Sequence, residues 1–232
     1  MRASERAYAT LRREILDWEL PPGTVLGEIE QSERLGVSRT PLRSALAALT
    51  ADGLVGAQSG RGLVVTPVSV DDARELFEVR DALEQKAARL AARSADRARF
   101  HALAAEFADA ARLIEDADPA RHAYYDLVAR FDDALDASAA NGFLVASLKG
   151  VRTHLTRIRR LAIDNPDRLR DAAAEHRLIA EAIAAGDEEL AAAATRVHLH
   201  RSLVNILTAS AAAPAPAREP GHERPLQERE QK

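Results

Sequence analysis

Residues 34–43 read Arg-Leu-Gly-Val-Ser-Arg-Thr-Pro-Leu-Arg, and no other stretch limits the fold as tightly. Gly36-Val37 predicts a tight corner between two short helices. Ser38 suits the N-cap of the second helix, and Pro41 falls in its first turn, where a missing N–H does no harm. Arg39 and Arg43 are four residues apart, so they share a face near the start of that helix. A helix entering the DNA major groove by its N-terminal end needs long donors there, aimed at guanine edges and phosphates.

The flanking residues extend this pattern. Ala7, Leu11, Ile15 and Leu16 form a preceding helical stripe closed by Leu20-Pro21-Pro22-Gly23. Leu42, Leu46 and Leu49 continue the second helix, and Asp52-Gly53 stops it. Leu54-Val55 and Leu63-Val64-Val65 are short β-type runs around Ser59-Gly60-Arg61-Gly62, which predicts a hairpin wing with a basic tip. Helix, helix-turn-helix and wing together make a winged helix-turn-helix. The candidate DNA contacts are Arg34, Ser38, Arg39, Thr40 and Arg43 on the motif, with Ser59, Gly60 and Arg61 on the wing.

Three segments carry a resemblance: Leu20-Pro21-Pro22-Gly23-Thr24, Gly36 through Arg43, and Gly60-Arg61-Gly62. Over roughly residues 5 to 67 the chain resembles the GntR family of bacterial transcription regulators. One part departs from that pattern. The family's first motif helix usually reads Glu-Arg-Glu-Leu, and here it is Glu28-Ile29-Glu30-Gln31. Ile29 therefore replaces an arginine that often touches DNA, Gln31 replaces a core leucine, and Ile29 is expected to take over the core contact.

Bulk properties narrow the function. The 232-residue chain has a formal net charge of −4, so nucleic-acid binding must come from a local basic patch. It has no cysteine, which excludes disulfides, thiolate metal sites and a cysteine nucleophile. No apolar run approaches a membrane span and the N-terminus begins no signal peptide, so a soluble, cytoplasmic protein is expected. There is no His-Glu-x-x-His and no general base beside a metal motif, so an enzyme is not expected.

The expected organisation is a winged helix-turn-helix domain over 1–68, an all-helical domain over 69–210 and a disordered tail over 211–232. The fold class is mainly α, with an antiparallel bundle of six or seven helices. Helix punctuation places six of them at roughly 71–93, 96–117, 120–139, 142–163, 166–185 and 187–209. Leu76 through Glu84, Phe131 through Asn141, and Glu175-His176-Arg177-Leu178-Ile179 with Gly186-Asp187 resemble the FCD ligand-binding and dimerisation domain of the FadR-type branch.

That resemblance implies a homodimer acting on a near-palindromic operator in double-stranded DNA. It also implies a small anionic metabolite, an organic or sugar acid, in the helical domain, and repression relieved by that ligand. Metal-binding members hold a divalent cation with one aspartate and three histidines. The last two histidines map onto His176 and His198. These lie about ten and eleven residues either side of a turn near Gly186, so antiparallel helices can bring both imidazoles to one height, roughly 15 Å from the turn.

The first metal-binding pair has changed: Val128 stands at the aspartate position and Asp132 at the first histidine position. Asp132, His176 and His198 are the candidate ligands for Zn, Ni or Mn, with Asp136 a closer substitute than Asp126 for the missing aspartate. The competing reading is a wet cavity in which Arg80 anchors an acid and no metal binds. Arg80 can equally pair with Glu84, four residues on. His154 is expected to face inward toward the effector, and His200 to lie on the surface. A metal-responsive regulator without an organic effector and a helical metal-dependent hydrolase complete the alternatives.

Overall fold

A computed structural model describes residues 1–94, 96–115, 121–159 and 165–212. The expected tail, from residue 213 on, lies outside the described residues, as do 116–120 and 160–164.

The N-terminal part comprises α1 (Ala3–Leu16), α2 (Glu28–Leu35), α3 (Arg39–Ala51) and the hairpin of β1 (Val55–Gln58) and β2 (Gly62–Val65). Gly36 caps α2 in the left-handed conformation with φ of 62°, which turns the chain into α3. The hairpin pairs Val55 with Val65 and Gln58 with Gly62, so Ser59, Gly60 and Arg61 form its tip. Leu11, Ile15, Leu42, Leu46, Leu49, Leu54 and Val65 make one apolar core under both motif helices and the wing.

Ile29 does not enter that core: it is 58% exposed, whereas Gln31 is 2% exposed. The expectation for Ile29 therefore fails, and the reason is electrostatic. Arg34 donates to both oxygens of Glu14 at 2.8 and 2.7 Å and twice to Gln31 Oε1 at 2.9 and 2.7 Å. Glu14 is buried on α1. A buried carboxylate needs a partner, and Gln31 braces the arginine that supplies it. An apolar leucine in its place could not.

The helical part comprises α4 (Val70–Ser94), α5 (Arg97–Ala108), α6 (Ala111–Glu115), α7 (His122–Ala139), α8 (Gly142–Arg159), α9 (Pro166–Ala185) and α10 (Glu188–Ala212). Ser69 and Asp72 cap the start of α4 reciprocally. Asp96 caps α5, and Asn165 with Pro166 starts α9. The long helix expected over 96–117 is broken after Ala108. The break turns Ala110 and Ile114 into the core at 0% and 4% exposure, with neither Gly nor Pro to mark it. α10 packs on α4 and α9, and α5 packs on α9. The core between them is built on Phe100, Phe107, Tyr124, Leu127, Phe131 and Ile183. Among the described residues, no helix is long and apolar enough to cross a membrane.

Candidate nucleic-acid interface and ligand cavity

Ser38, Arg39, Thr40 and Arg43 are exposed at the first turns of α3, and Ser59, Gly60 and Arg61 are exposed on the wing tip. The Ser38 hydroxyl makes no cap hydrogen bond although the residue stands at the N-cap, so it stays available to an external acceptor or donor. Among the described residues the side chains of Arg39 and Arg61 make no hydrogen bond or ion pair, although the Arg61 backbone N–H donates to the Gln58 carbonyl at 3.0 Å. Arg43 rests on Glu28, its Nε 3.0 and 2.9 Å from the two carboxylate oxygens. Both side chains are exposed, and an exposed pair of this kind contributes only about 0.2–1 kcal/mol, so DNA can take the arginine over. Arg34 is different: its donors are committed to buried Glu14 and Gln31. It therefore belongs to the packing of the motif, which corrects the expectation of a DNA contact there.

In the helical part, α4, α7, α8, α9 and α10 surround a cavity of ≈ 80 Å³. Its polar lining includes Arg80, Arg159, Arg168, Tyr124, His176 and His198. A smaller space of ≈ 20 Å³ continues past the same two histidines to Asp132 and Arg152. The two imidazoles lie 4.4 Å apart between ring centroids, as the turn arithmetic predicts. His176 stacks on Phe107 at 5.1 Å, and its Nδ1 donates to the Ala172 carbonyl at 2.8 Å. His198 Nδ1 donates to Glu175 at 2.8 Å. Among the described residues each imidazole thus keeps Nε2 as an acceptor without a partner. Burial is the main cause holding both well below the usual histidine range, with His198 and Arg159 adding to the effect at His176, and Arg80, Arg168 and Arg159 at His198. Both are neutral at pH 7.

Glu175 neutralises part of this field. Its buried carboxylate accepts from His198, from Arg168 at 3.2 and 2.9 Å and from Arg201 at 3.2 Å. Arg80 pairs with Glu84 at 2.7 Å and lies over the Phe77 ring, while still lining the cavity. Arg159 has no carboxylate within 4 Å among the described residues. Burial, then Arg80, lowers its pKa. Among the described residues it is the cavity arginine without an ion pair, with Asp132 acting on it from beyond 4 Å.

A divalent cation does not fit these residues well. Among the described residues, no three His, Asp or Glu side chains come together as a metal-ligating group. Val128 lines the cavity with an apolar side chain, and Asp132 faces Arg152 Nε at 3.4 Å. Arg152 also holds Asp136 through Oδ2 at 2.6 Å, so both candidate carboxylates are paired with the same arginine, although Asp136 Oδ1 keeps no partner among the described residues. Burial, opposed by Arg152, pushes Asp132 up to about 6. The expectation that Asp132 ligates beside His176 and His198 is corrected on these grounds. His154 is corrected too. It packs against Gly53 and faces the junction with the winged helix, away from the cavity around His176 and His198. His200 is exposed, as expected. Sequence reasoning missed Arg159 and Arg168. The one signal was the Arg157–Arg159 spacing, which leaves open which of the two turns inward.

Two family descriptions match the chain: the gntR family of bacterial regulatory proteins over residues 3–65, and the FCD domain over residues 75–201. An HTH-type transcriptional regulator of Agrobacterium vitis, from the TAR-I ttuE-ttuC′ intergenic region, is 42% identical over 35% of this chain. That match spans only 48% of the relative's length. A probable D-xylose utilization operon transcriptional repressor of Paenarthrobacter nicotinovorans is 32% identical over 80% of each chain. Among solved structures, E. coli McbR/YncC superposes with a TM-score of 0.70 at 19% identity, over 90% of this chain and 98% of that one; this likeness is one of fold.

Arg39→Ala and Arg43→Ala should each abolish specific operator binding in a gel-shift assay while leaving the thermal unfolding midpoint in place. Each lost guanine contact costs about 1–3 kcal/mol, and a dimer loses it twice. Arg61→Ala should weaken binding less and reduce its salt dependence. Stability should also fall with acid. The histidines are depressed in the folded state, so the unfolded chain takes up their protons first, and stability is lost as pH drops through about 6.5. Urea unfolding of His176→Phe, which keeps the stack on Phe107, should show a shallower loss between pH 7 and 5 than the parent protein.

Proposed function

Because the chain belongs to the GntR family of bacterial regulatory proteins and carries its FCD domain, we propose that it is a homodimeric repressor released from its operator by a small organic or sugar acid. The family and the relatives matched are transcription regulators and not enzymes, and the winged helix is the DNA-binding part. Repression takes support from the described role of the Paenarthrobacter relative.

Arg159 carries the ligand reading. A half-buried guanidinium with no carboxylate within 4 Å among the described residues is costly, and an acid in the cavity would supply its counter-charge. Two neutral imidazole acceptors and Tyr124 suit the hydroxyl groups of such an acid. The metal-responsive alternative draws on the two Nε2 atoms, each oriented by a hydrogen bond at Nδ1. Against it stand the arginines around them, which repel a dication as they favour an anion. For a dimer, α10 offers an outer stripe of Leu190, Val197 and Val204, spaced by seven residues and 43–48% exposed.

Calorimetry on the chelated protein tests this. A panel of hydroxy and sugar acids should include one that binds with chelator present and loses at least tenfold affinity in Arg159→Met. Zn²⁺, Ni²⁺ and Mn²⁺ should give no heat at the histidine pair. Acid binding that required a metal, and that vanished in both His176→Ala and His198→Ala while surviving Arg159→Met, would establish the metal reading instead.

A further inference from the structure

A larger cavity, of ≈ 470 Å³, lies where the winged helix meets the helical part. It shares no lining residue with the cavity around His176 and His198. Its volume falls within the about 300–1,000 Å³ of small-molecule sites. Pro67, Val68, Leu76, Val79 and Ile158 give it apolar walls, and Arg157 supplies its cation.

Arg157 is 2% exposed. Its two terminal nitrogens donate to Thr66, one to Oγ1 at 2.8 Å and one to the carbonyl oxygen. Among the described residues its Nε has no acceptor and no carboxylate lies within 4 Å of it. Asp72, whose charge acts on it, is turned to cap the Ser69 N–H at 2.6 Å. Burial lowers the arginine's pKa. A buried guanidinium with an orphan N–H beside an apolar space is an incomplete anion site.

We propose that this junction is a second small-molecule site, which takes a monocarboxylic acid with a short apolar tail. The carboxylate pairs with the Arg157 guanidinium, and the tail lies along Leu76, Val79 and Ile158. A single guanidinium matches one carboxylate, and the acidic Glu75 and Asp72 at the wall disfavour a second negative charge. Thr66 follows the last wing strand and leads into α4, so Arg157 is a tie between the two parts. An acid that engages the guanidinium competes for that tie and changes how firmly the winged helix is held. This consequence for operator binding rests on the regulatory reading above; the binding site itself does not.

The test uses the full chain with hexanoate and benzoate as probes and hexanol as the uncharged control. Affinity is read by calorimetry and stability by thermal shift. Hexanoate or benzoate should bind the parent protein and Arg159→Met alike. Arg157→Lys should lose at least tenfold in affinity. Val79→Trp, at a half-exposed position, fills the cavity without touching the guanidinium and should lose binding as well, while keeping the parent unfolding midpoint. Hexanol should not bind. The proposal is overturned if neither acid binds, if hexanol binds as tightly as hexanoate, or if Arg159→Met abolishes binding while Val79→Trp leaves it intact. The last result would place the acids in the other cavity and leave the regulatory reading standing.

Discussion

The helical part is organised around one buried carboxylate. Glu175 on α9 accepts hydrogen bonds from His198 and Arg201 on α10 and from Arg168 on its own helix. A lone carboxylate in that position would be expelled or protonated. With three partners it fixes the register of the closing hairpin, and it orients the His198 ring so that Nε2 points away from the bond. The neutral state of His176 follows first from its burial against Phe107, then from the neighbouring His198, with Arg159 adding to both. Removing this carboxylate would leave Arg168 and His198 without their anchor at the cavity wall.

α8 then divides the labour between the cavity and the winged helix. Thr153 accepts from Arg12 on α1 at 3.0 Å, His154 packs on Gly53 and Arg157 clasps Thr66. Residues 153, 154 and 157 share one helical face. Arg152, Leu155 and Arg159 lie on the other, at the cavity and its extension. Residues 157 and 159 are about 200° apart around the helix. One rigid element therefore touches both the charged cavity and the DNA-binding part. α8 is thus the element through which an acid at Arg159, as proposed above, would reach the contacts with Arg12 and Thr66.

Much of this was legible in the sequence, for a definite reason. Gly36, Pro41, Pro166 and Gly186 act locally on the backbone, and the apolar stripes act at fixed helical spacing, so the motif, the wing and most helix bounds follow from neighbours in the chain. The His176–His198 pairing also followed, because a short turn fixes the register of two adjacent helices. The failures among the site residues are partnerships between distant elements. Arg34 reads as a DNA contact until Glu14, twenty residues earlier on another helix, is placed against it. Asp132 reads as a ligand until Arg152 on α8 faces it. His154 and Arg159 are five residues apart, and only the rotation of α8 about its axis decides which of them meets the cavity. The break between α5 and α6 has no local marker, since it serves the burial of Ala110 and Ile114.

The central claim is that an acid held by Arg159 is read at the operator without a metal. Fluorescence anisotropy of labelled operator DNA tests it directly, with a panel of carboxylic acids titrated into the complex in the presence of chelator. The account predicts that at least one acid lowers operator affinity tenfold or more for the parent protein, and that the same acid leaves the Arg159→Met complex unchanged although that variant binds DNA normally in its absence. Equal release of both proteins by every active acid, or release that appears only when a divalent metal is restored, would contradict it.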